Sequence, residues 1–133
     1  MKDKQARPVK KALIFLAALC VIIVGLFHLG GDTSHAAIVP RESSLYTEAD
    51  INAAIRSAKF YFKLHFSGCT LTEIGYAGDS CNGDDRFIVL TSSFDVDSSG
   101  GDGSLNPDST YTGWQWTLKR LPGGLWYHVD HGY

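Results

Sequence analysis

The C-terminal end of the sequence holds two histidines and an aspartate within four positions, His128, Asp130 and His131. Imidazoles and carboxylates are metal ligands, and a paired histidine and aspartate can transfer protons as general base and acid. On a regular strand His128 and Asp130 point to one face and His131 to the other, so all three converge only at a bulge. His128 and Asp130 are therefore candidate catalytic residues, and the alternative is a polar strand face with one partly buried histidine.

A second pattern, in the middle of the chain, places Asp95, Asp97 and Ser99 at alternate positions before Gly100. Oxygen ligands in this spacing begin many calcium-binding loops. The twelfth residue from Asp95 is Asn106, however, where such a loop needs a bidentate glutamate. The alternative is a hairpin loop in which aspartate and serine side chains cap backbone N–H groups. We expect neither a bound metal nor a cofactor.

Aromatic residues recur at alternate positions near the C-terminus, and exposed rings could stack on sugars or peptides. In a small domain such residues more often belong to the core. Tyr111 and Tyr127 are the candidates for ligand binding. The sequence has no nucleophile elbow, phosphate-binding loop or zinc-binding helix motif.

The charges of the chain are divided between its two ends. The formal net charge is -2, but residues 2–11 carry five Lys or Arg and one Asp, which leaves seven basic and thirteen acidic residues beyond them. Residues 12–29 are apolar except for Gly25 and His28, and as a helix they would extend ~27 Å, close to a bilayer core of ~30 Å. Because positive flanks stay in the cytoplasm, we expect the C-terminal part outside the cell membrane.

Two interpretations of the apolar segment remain open. It is either a single-pass anchor with a cytoplasmic N-terminus, or a signal peptide cleaved near Ala36, after the small-x-small sequence of residues 34–36. Its length exceeds the ~7–15 residues of a signal core, which favours the anchor. The expected partners are the membrane, through residues 12–29, and an unknown ligand or cell-surface partner. The acidic exported part argues against nucleic acid.

Export also affects how the cysteines are interpreted. Outside the cytosol Cys69 and Cys81 could form a disulfide, and the alternative is two free thiols. Cys20 lies inside the apolar segment, where it acts as a small hydrophobic residue.

The elements that position these residues follow from periodicity. Residues 1–11 form a basic stub, residues 30–46 have no period and predict a linker, and residues 47–133 predict one domain. Residues 47–66 predict an amphipathic helix with Thr47 as N-cap and Gly68 closing its end. Strands are predicted at residues 69–76, 86–97, 110–121 and 125–131. The sequence thus predicts an α+β roll: a membrane helix, then one helix packed on a four-stranded antiparallel sheet, with Phe62, Phe66, Phe94, Trp114 and Trp116 in the core.

Five segments carry a resemblance to a known family: residues 68–74, 96–107, 109–112, 114–116 and 132–133. They resemble a family of exported bacterial domains of unknown function, related to the cone-shaped, nuclear-transport-factor-like α+β superfamily. The similarity covers roughly residues 45–133. It implies export and fold rather than a chemistry, since the superfamily contains enzymes and binding proteins alike.

We therefore expect a membrane-anchored extracytoplasmic domain that binds a ligand or partner without catalysis. The alternative is a small pocket enzyme, hydrolase-like or isomerase-like, that uses the region of His128 and Asp130.

Overall fold

The computed structural model describes residues 6–28 and 30–133. It contains two α-helices, α1 (Ala6–His28) and α2 (Glu48–His65), and five strands, β1 (Ala37–Val39), β2 (Cys69–Tyr76), β3 (Phe87–Val96), β4 (Ser109–Arg120) and β5 (Trp126–Gly132). A short 3₁₀ turn, Asp79–Cys81, follows β2. The predicted α+β class is confirmed.

Helix α1 contains the predicted apolar segment. Its stretch Pro8–Gly25 is long and apolar enough to cross a membrane, and none of it is buried against the rest of the protein. By length and composition it fits a membrane anchor or a signal sequence. The helix begins six residues before the predicted position 12, whereas Leu29 and the basic residues Lys2 and Lys4 lie outside the described residues.

The sheet is mixed and has five strands, not the predicted four antiparallel ones. The strand order is β1-β2-β3-β4-β5, with β1 parallel to β2 and every other pair antiparallel. The additional strand β1 comes from residues 30–46, which predicted a linker. Three residues are too few to display a period of two, and parallel pairing with β2 needs a long crossover, which α2 supplies.

Helix α2 follows the sequence prediction closely. The Thr47 side chain accepts a hydrogen bond from the Asp50 N–H, and the Asp50 carboxylate accepts one from the Thr47 N–H, so both form a capping box. The predicted stripe is buried: Ile51, Ile55, Ala58, Phe62 and Phe66. Gly68 has a φ of 71°, the left-handed conformation expected after the helix.

The core lies between α2 and one face of the sheet. Trp116 is fully buried, and its indole Nε1–H donates to the Ser92 Oγ at 2.8 Å. Phe62 and Phe94 are also fully buried and Phe66 nearly so, as predicted. Trp114 is only half-buried, against the prediction, because it lies just outside residues 115–120 of β4, with which β5 pairs.

Candidate functional site

Six aromatic and imidazole side chains meet where the last turns of α2 face β4 and β5. We call them the ring cluster: Tyr61, His65, Phe66, Trp114, His128 and His131. Tyr61 stacks on His128, with 3.7 Å between ring centroids, and contacts His65 in a tilted arrangement, with 4.2 Å between centroids. Trp114 stacks on His131 with 5.8 Å between centroids. The cluster connects the helix to the edge strand of the sheet through ring contacts.

A β-bulge brings the two histidines of β5 to the same face. Thr117 of β4 pairs with Asp130 and its neighbour Leu118 pairs with His128, so Val129 is an extra residue on β5. The bulge breaks the alternation of side chains, and His128 Nε2 lies 3.0 Å from His131 Nδ1. The convergence that requires a bulge therefore occurs, with His131 rather than Asp130 as the partner of His128.

Asp130 has a different role from the predicted one. Its side chain is exposed, and its Oδ1 accepts a hydrogen bond from the His131 backbone N–H at 2.9 Å. It thus supports the backbone at the bulge.

Burial lowers the pKa of His128, and the nearby His131 lowers it further. Burial also lowers the pKa of His131, with a smaller contribution from His65. Both imidazoles are neutral at pH 7 as a result.

A cleft of about 250 Å³ opens beside the ring cluster. Its walls come from the end of α2, the start of β2, the β3–β4 loop, β4 and β5. The residues that line it are Tyr61, His65, Phe66, Cys69, Gly101, Asp102, Ser104, Leu105, Trp114 and His131. Asp102 is the carboxylate among these described residues, which include no Lys or Arg. Hydrogen bonds from Ser104 Oγ and N–H lower the pKa of Asp102, so its charge is retained at neutral pH.

Cys69 contributes a protonated thiol to the cleft. Burial raises its pKa to about 11, and the charges of Asp97 and Asp102 act in the same direction. A thiol with this pKa is a poor nucleophile at pH 7, because almost none of it is thiolate.

The two neighbouring tryptophans of β4 differ in their hydrogen bonding. Trp116 is buried with its indole N–H paired, whereas the Trp114 Nε1 is buried without an acceptor among the described residues. The Trp126 Nε1, at the far end of the sheet, is likewise buried without an acceptor among the described residues. The Arg120 guanidinium lies over the Trp126 ring, with its Cζ 4.6 Å from the ring centroid. A buried donor without an acceptor costs about 1–3 kcal/mol, so neither indole N–H contributes to stability as that of Trp116 does.

No family model, curated protein or solved structure matches this chain. The resemblance to the nuclear-transport-factor-like superfamily therefore stays a prediction.

The candidate calcium ligands serve the β3–β4 loop instead. Asp97 Oδ1 accepts hydrogen bonds from the Ser99 N–H, at 2.8 Å, and from the Ser99 hydroxyl. Asp95 Oδ1 accepts one from Thr110 Oγ1 at 2.6 Å, across to β4. These bonds correspond to the hairpin alternative. Within residues 6–28 and 30–133 no group of three or more His, Cys, Asp or Glu side chains is arranged to hold a metal ion.

The proposed disulfide is absent, since Cys69 and Cys81 are both free. Cys69 begins β2, whereas Cys81 lies beyond its other end, in the 3₁₀ turn. The eight residues of β2 span roughly 25 Å at ~3.3 Å each, far beyond the ~7 Å limit between the Cα atoms of a disulfide.

The two candidate tyrosines are separated in the structure. Tyr111 stacks on Phe94, with 5.2 Å between centroids, and its hydroxyl accepts a hydrogen bond from the Asn106 N–H at 3.1 Å. It therefore holds the β3–β4 loop next to the cleft. Tyr127 is exposed on β5, away from the residues that line the cleft.

A second concavity, a groove of about 590 Å³, lies at the opposite end of α2. It runs between the segment after β1 and the first turns of α2, with Ile38, Pro40 and Ile55 among its walls. Two of its polar side chains make structural bonds: Arg41 donates to the Ala77 carbonyl, and Ser43 Oγ donates to Asp79 Oδ1 at 2.6 Å. The cleft at the ring cluster is therefore the better candidate site.

Sequence reasoning missed the helical half of this site. Tyr61 and His65 are spaced four residues apart on α2, outside the buried stripe, and this spacing was the available signal. Nothing in the sequence pattern pairs them with β5, because that contact depends on how α2 crosses the sheet.

Proposed function

We propose that the chain is a membrane-anchored, extracytoplasmic binding domain that takes a small organic cation in the cleft beside the ring cluster. The observation that carries this proposal is the pairing of aromatic walls with a single carboxylate in one cleft. Substrate turnover is not part of the proposal.

The aromatic walls suit a cation. The rings of Phe66 and Trp114 are nearly perpendicular, at 85°, with 6.3 Å between their centroids. Perpendicular rings offer a ligand two different surfaces, and tryptophan is the ring that attracts a cation most strongly. Tyr61 stands on the helix side of the same cleft. The volume of about 250 Å³ lies below the ~300–1,000 Å³ of most ligand pockets, which favours a ligand with few heavy atoms.

The electrostatics of the cleft point in the same direction. Asp102 is ionised, while burial keeps Cys69 and His131 uncharged at neutral pH. A cation therefore meets one attractive charge and no opposing one from these groups. An anion would meet only the repulsion of Asp102.

The alternative, a pocket enzyme at His128 and Asp130, has less support. Asp130 bonds to the backbone rather than to an imidazole, and the Cys69 thiol is not activated. The cleft thus lacks a nucleophile held by a base, which covalent catalysis would need.

Two features of residues 30–36 favour retention of the anchor over cleavage near Ala36. The Asp32 N–H donates to the Cys69 carbonyl at 2.9 Å, and the Asp32 carbonyl accepts from the Leu71 N–H at 2.8 Å. Ala36 packs against the core. Cleavage after Ala36 would remove these contacts from a small domain and leave β1 at a new terminus.

Tryptophan fluorescence of the full chain in detergent tests the proposal. Titration with tetramethylammonium chloride at constant ionic strength, set with NaCl, should give a saturable change, whereas glucose and acetate should not. Asp102→Asn and Trp114→Leu should weaken binding about 5–30-fold, the equivalent of about 1–2 kcal/mol for a carboxylate or cation–π contact. Trp126→Phe, at the far end of the sheet, is the matched control and should bind normally.

Thermal melts of each variant separate lost binding from lost folding. The proposal is wrong if tetramethylammonium gives no saturable change in fluorescence up to about 100 mM. A dissociation constant above that concentration corresponds to less than ~1.4 kcal/mol of binding free energy. Equal binding of glucose would also contradict it.

A further inference from the structure

The junction between α1 and the domain is short and directly bonded. Helix α1 ends at His28, and the Gly31 N–H already donates to the Lys63 carbonyl, in the last turn of α2, at 3.1 Å. A Cβ on Gly30 would lie 1.7 Å from the same carbonyl oxygen, and one on Gly31 would lie 2.7 Å from the Phe62 ring. The three residue steps from 28 to 31 can span at most ~11 Å. If α1 crosses the bilayer, the C-terminal end of α2 is held at its surface.

The face that α2 exposes near this junction is both apolar and basic. Arg56, Phe60 and Leu64 follow one another at four-residue intervals, and Lys59 lies on the adjoining row. The Phe60 side chain is 57% exposed and that of Leu64 is 46% exposed, opposite the buried stripe. We call these four residues the outer face of α2.

The charges of α2 are also polarised along its axis. Its acidic residues, Glu48 and Asp50, lie in the first turn. Lys59 and Lys63 lie in the half that the junction contacts, and Arg56 lies at the middle of the helix. The basic half is therefore the half held next to the lipid.

We propose that the outer face of α2 docks on the anionic headgroups of the leaflet from which α1 emerges, and so sets one orientation of the domain on the membrane. This inference rests on the anchor in the proposed function, but not on the cation ligand. Phenylalanine and leucine with flanking Lys or Arg are typical of helices that lie in a membrane interface. Because α1 already holds the domain at the surface, docking is intramolecular, and a weak interaction is sufficient.

The orientation has a consequence for the cleft. Tyr61 and His65, which line it, belong to the same turns of α2 as Phe60 and Leu64. Docking would place the cleft beside the headgroup layer rather than facing the bulk solvent.

Quenching by brominated lipid tests the orientation. The full chain is reconstituted in vesicles of phosphatidylcholine and phosphatidylglycerol whose acyl chains carry bromine. Phe60→Trp should add strongly quenched fluorescence relative to the unsubstituted chain, and Leu64→Trp is a second probe. Tyr127→Trp is the matched control, since Tyr127 is 60% exposed on β5, and its added fluorescence should be unquenched.

The charge dependence is tested in the same vesicles. Arg56→Glu and Lys59→Glu should each weaken docking at least about fivefold, the equivalent of ~1 kcal/mol per basic residue near an anionic surface. Vesicles without phosphatidylglycerol should reduce the quenching at position 60 in the same way.

Three outcomes would overturn the inference. Equal quenching at positions 60 and 127 would exclude a preferred orientation. If the chain floats with the vesicles but Phe60→Trp is unquenched, the outer face of α2 does not contact lipid and is available to a protein partner, such as a second copy. Failure of the chain to float with vesicles would remove the anchor and the docking together, while cation binding in detergent would be unaffected.

Discussion

At the level of single residues, burial decides the protonation of titratable groups in the cleft and in the ring cluster beside it. His128 and His131 have lowered pKa values because the ring cluster removes water from them, and Cys69 has a raised pKa for the same reason. All three groups are thereby neutral at pH 7, beside the ionised Asp102. This distribution of charge is the basis of the cation site proposed above.

The lowered histidine pKa values predict that acid destabilises the fold below the ordinary histidine value of 6.5. In the unfolded chain both imidazoles bind protons near pH 6.5, whereas the folded chain binds them only at lower pH. The unfolded state thus gains more protons, and the free energy of unfolding falls as the pH is lowered from about 7.5 to about 5.5. Melting temperatures measured by circular dichroism across this range test the effect.

The matched control is the double variant His128→Gln/His131→Gln, whose melting temperature should change less over the same pH range. Carboxylates with lowered pKa values, such as Asp102, lose their contribution only below their ordinary value of 3.8, so they do not account for the change. An equally steep profile in the double variant would show that the histidines are not its cause.

At the level of elements, the extent of strand pairing separates the core residues of β4 from the residue that it contributes to the cleft. Trp116 and Leu118 lie where β4 pairs with both β3 and β5 and are fully buried, whereas Trp114 lines the cleft, just outside the residues of β4 that pair with β5. The bulge at Val129 adds to this difference, because it turns His128 and His131 together toward α2. Edge strands and bulges commonly position side chains at sites in this way.

Trp116→Ala should be among the most destabilising single substitutions. Trp116 is fully buried, packs against Phe62 and Phe66, and donates to Ser92. Its truncation leaves a cavity and should lower the free energy of unfolding by about 3–5 kcal/mol. Chemical denaturation measures the change. Tyr127→Ala, at an exposed position, should change it by no more than ~0.5 kcal/mol, and similar values for both variants would contradict this assignment of the core.

At the level of the whole molecule, the apolar helix α1 lies close to the domain along the chain. Residues predicted to be a linker instead contribute β1, the Asp32 bonds to β2 and the Gly31 bond to α2. The acidic body is thus linked to the basic residues near the N-terminus through one helix, whose first turns carry Arg7, Lys10 and Lys11. A short junction limits the domain to positions close to the end of that helix.

Gly30→Ala should disturb this junction. The added Cβ would meet the Lys63 carbonyl oxygen at 1.7 Å, a backbone atom that cannot rotate away. The resulting strain should cost about 1–3 kcal/mol and lower the melting temperature of the full chain by several degrees. Gly83→Ala is the matched control, because its Cβ would meet nothing within 4 Å. Equal melting temperatures for the two variants would show that residue 30 does not pack on α2.

Local patterns were sufficient to predict much of this protein. The apolar helix, the capped α2 with its buried stripe and the antiparallel strands β2 to β5 follow from periodicity, capping and turn residues, which act within a few positions. Strand β1 could not be predicted in this way, since its three residues form a strand only by pairing with Glu73, Ile74 and Gly75 of β2. For Cys69 and Cys81 the sequence left a disulfide and two free thiols open. The structure has the free thiols, because the straight length of β2 separates two cysteines that are close in sequence.

The sequence by itself therefore determined the apolar segment, the charge asymmetry, the fold class and most of the core. Only the tertiary structure decided the cleft. Its residues come from α2, β2, β4, β5 and a loop, and they meet because the helix crosses the sheet and β5 carries a bulge. The physical reason is range: periodicity and capping depend on neighbours in the chain, whereas a cleft depends on register and packing between distant segments.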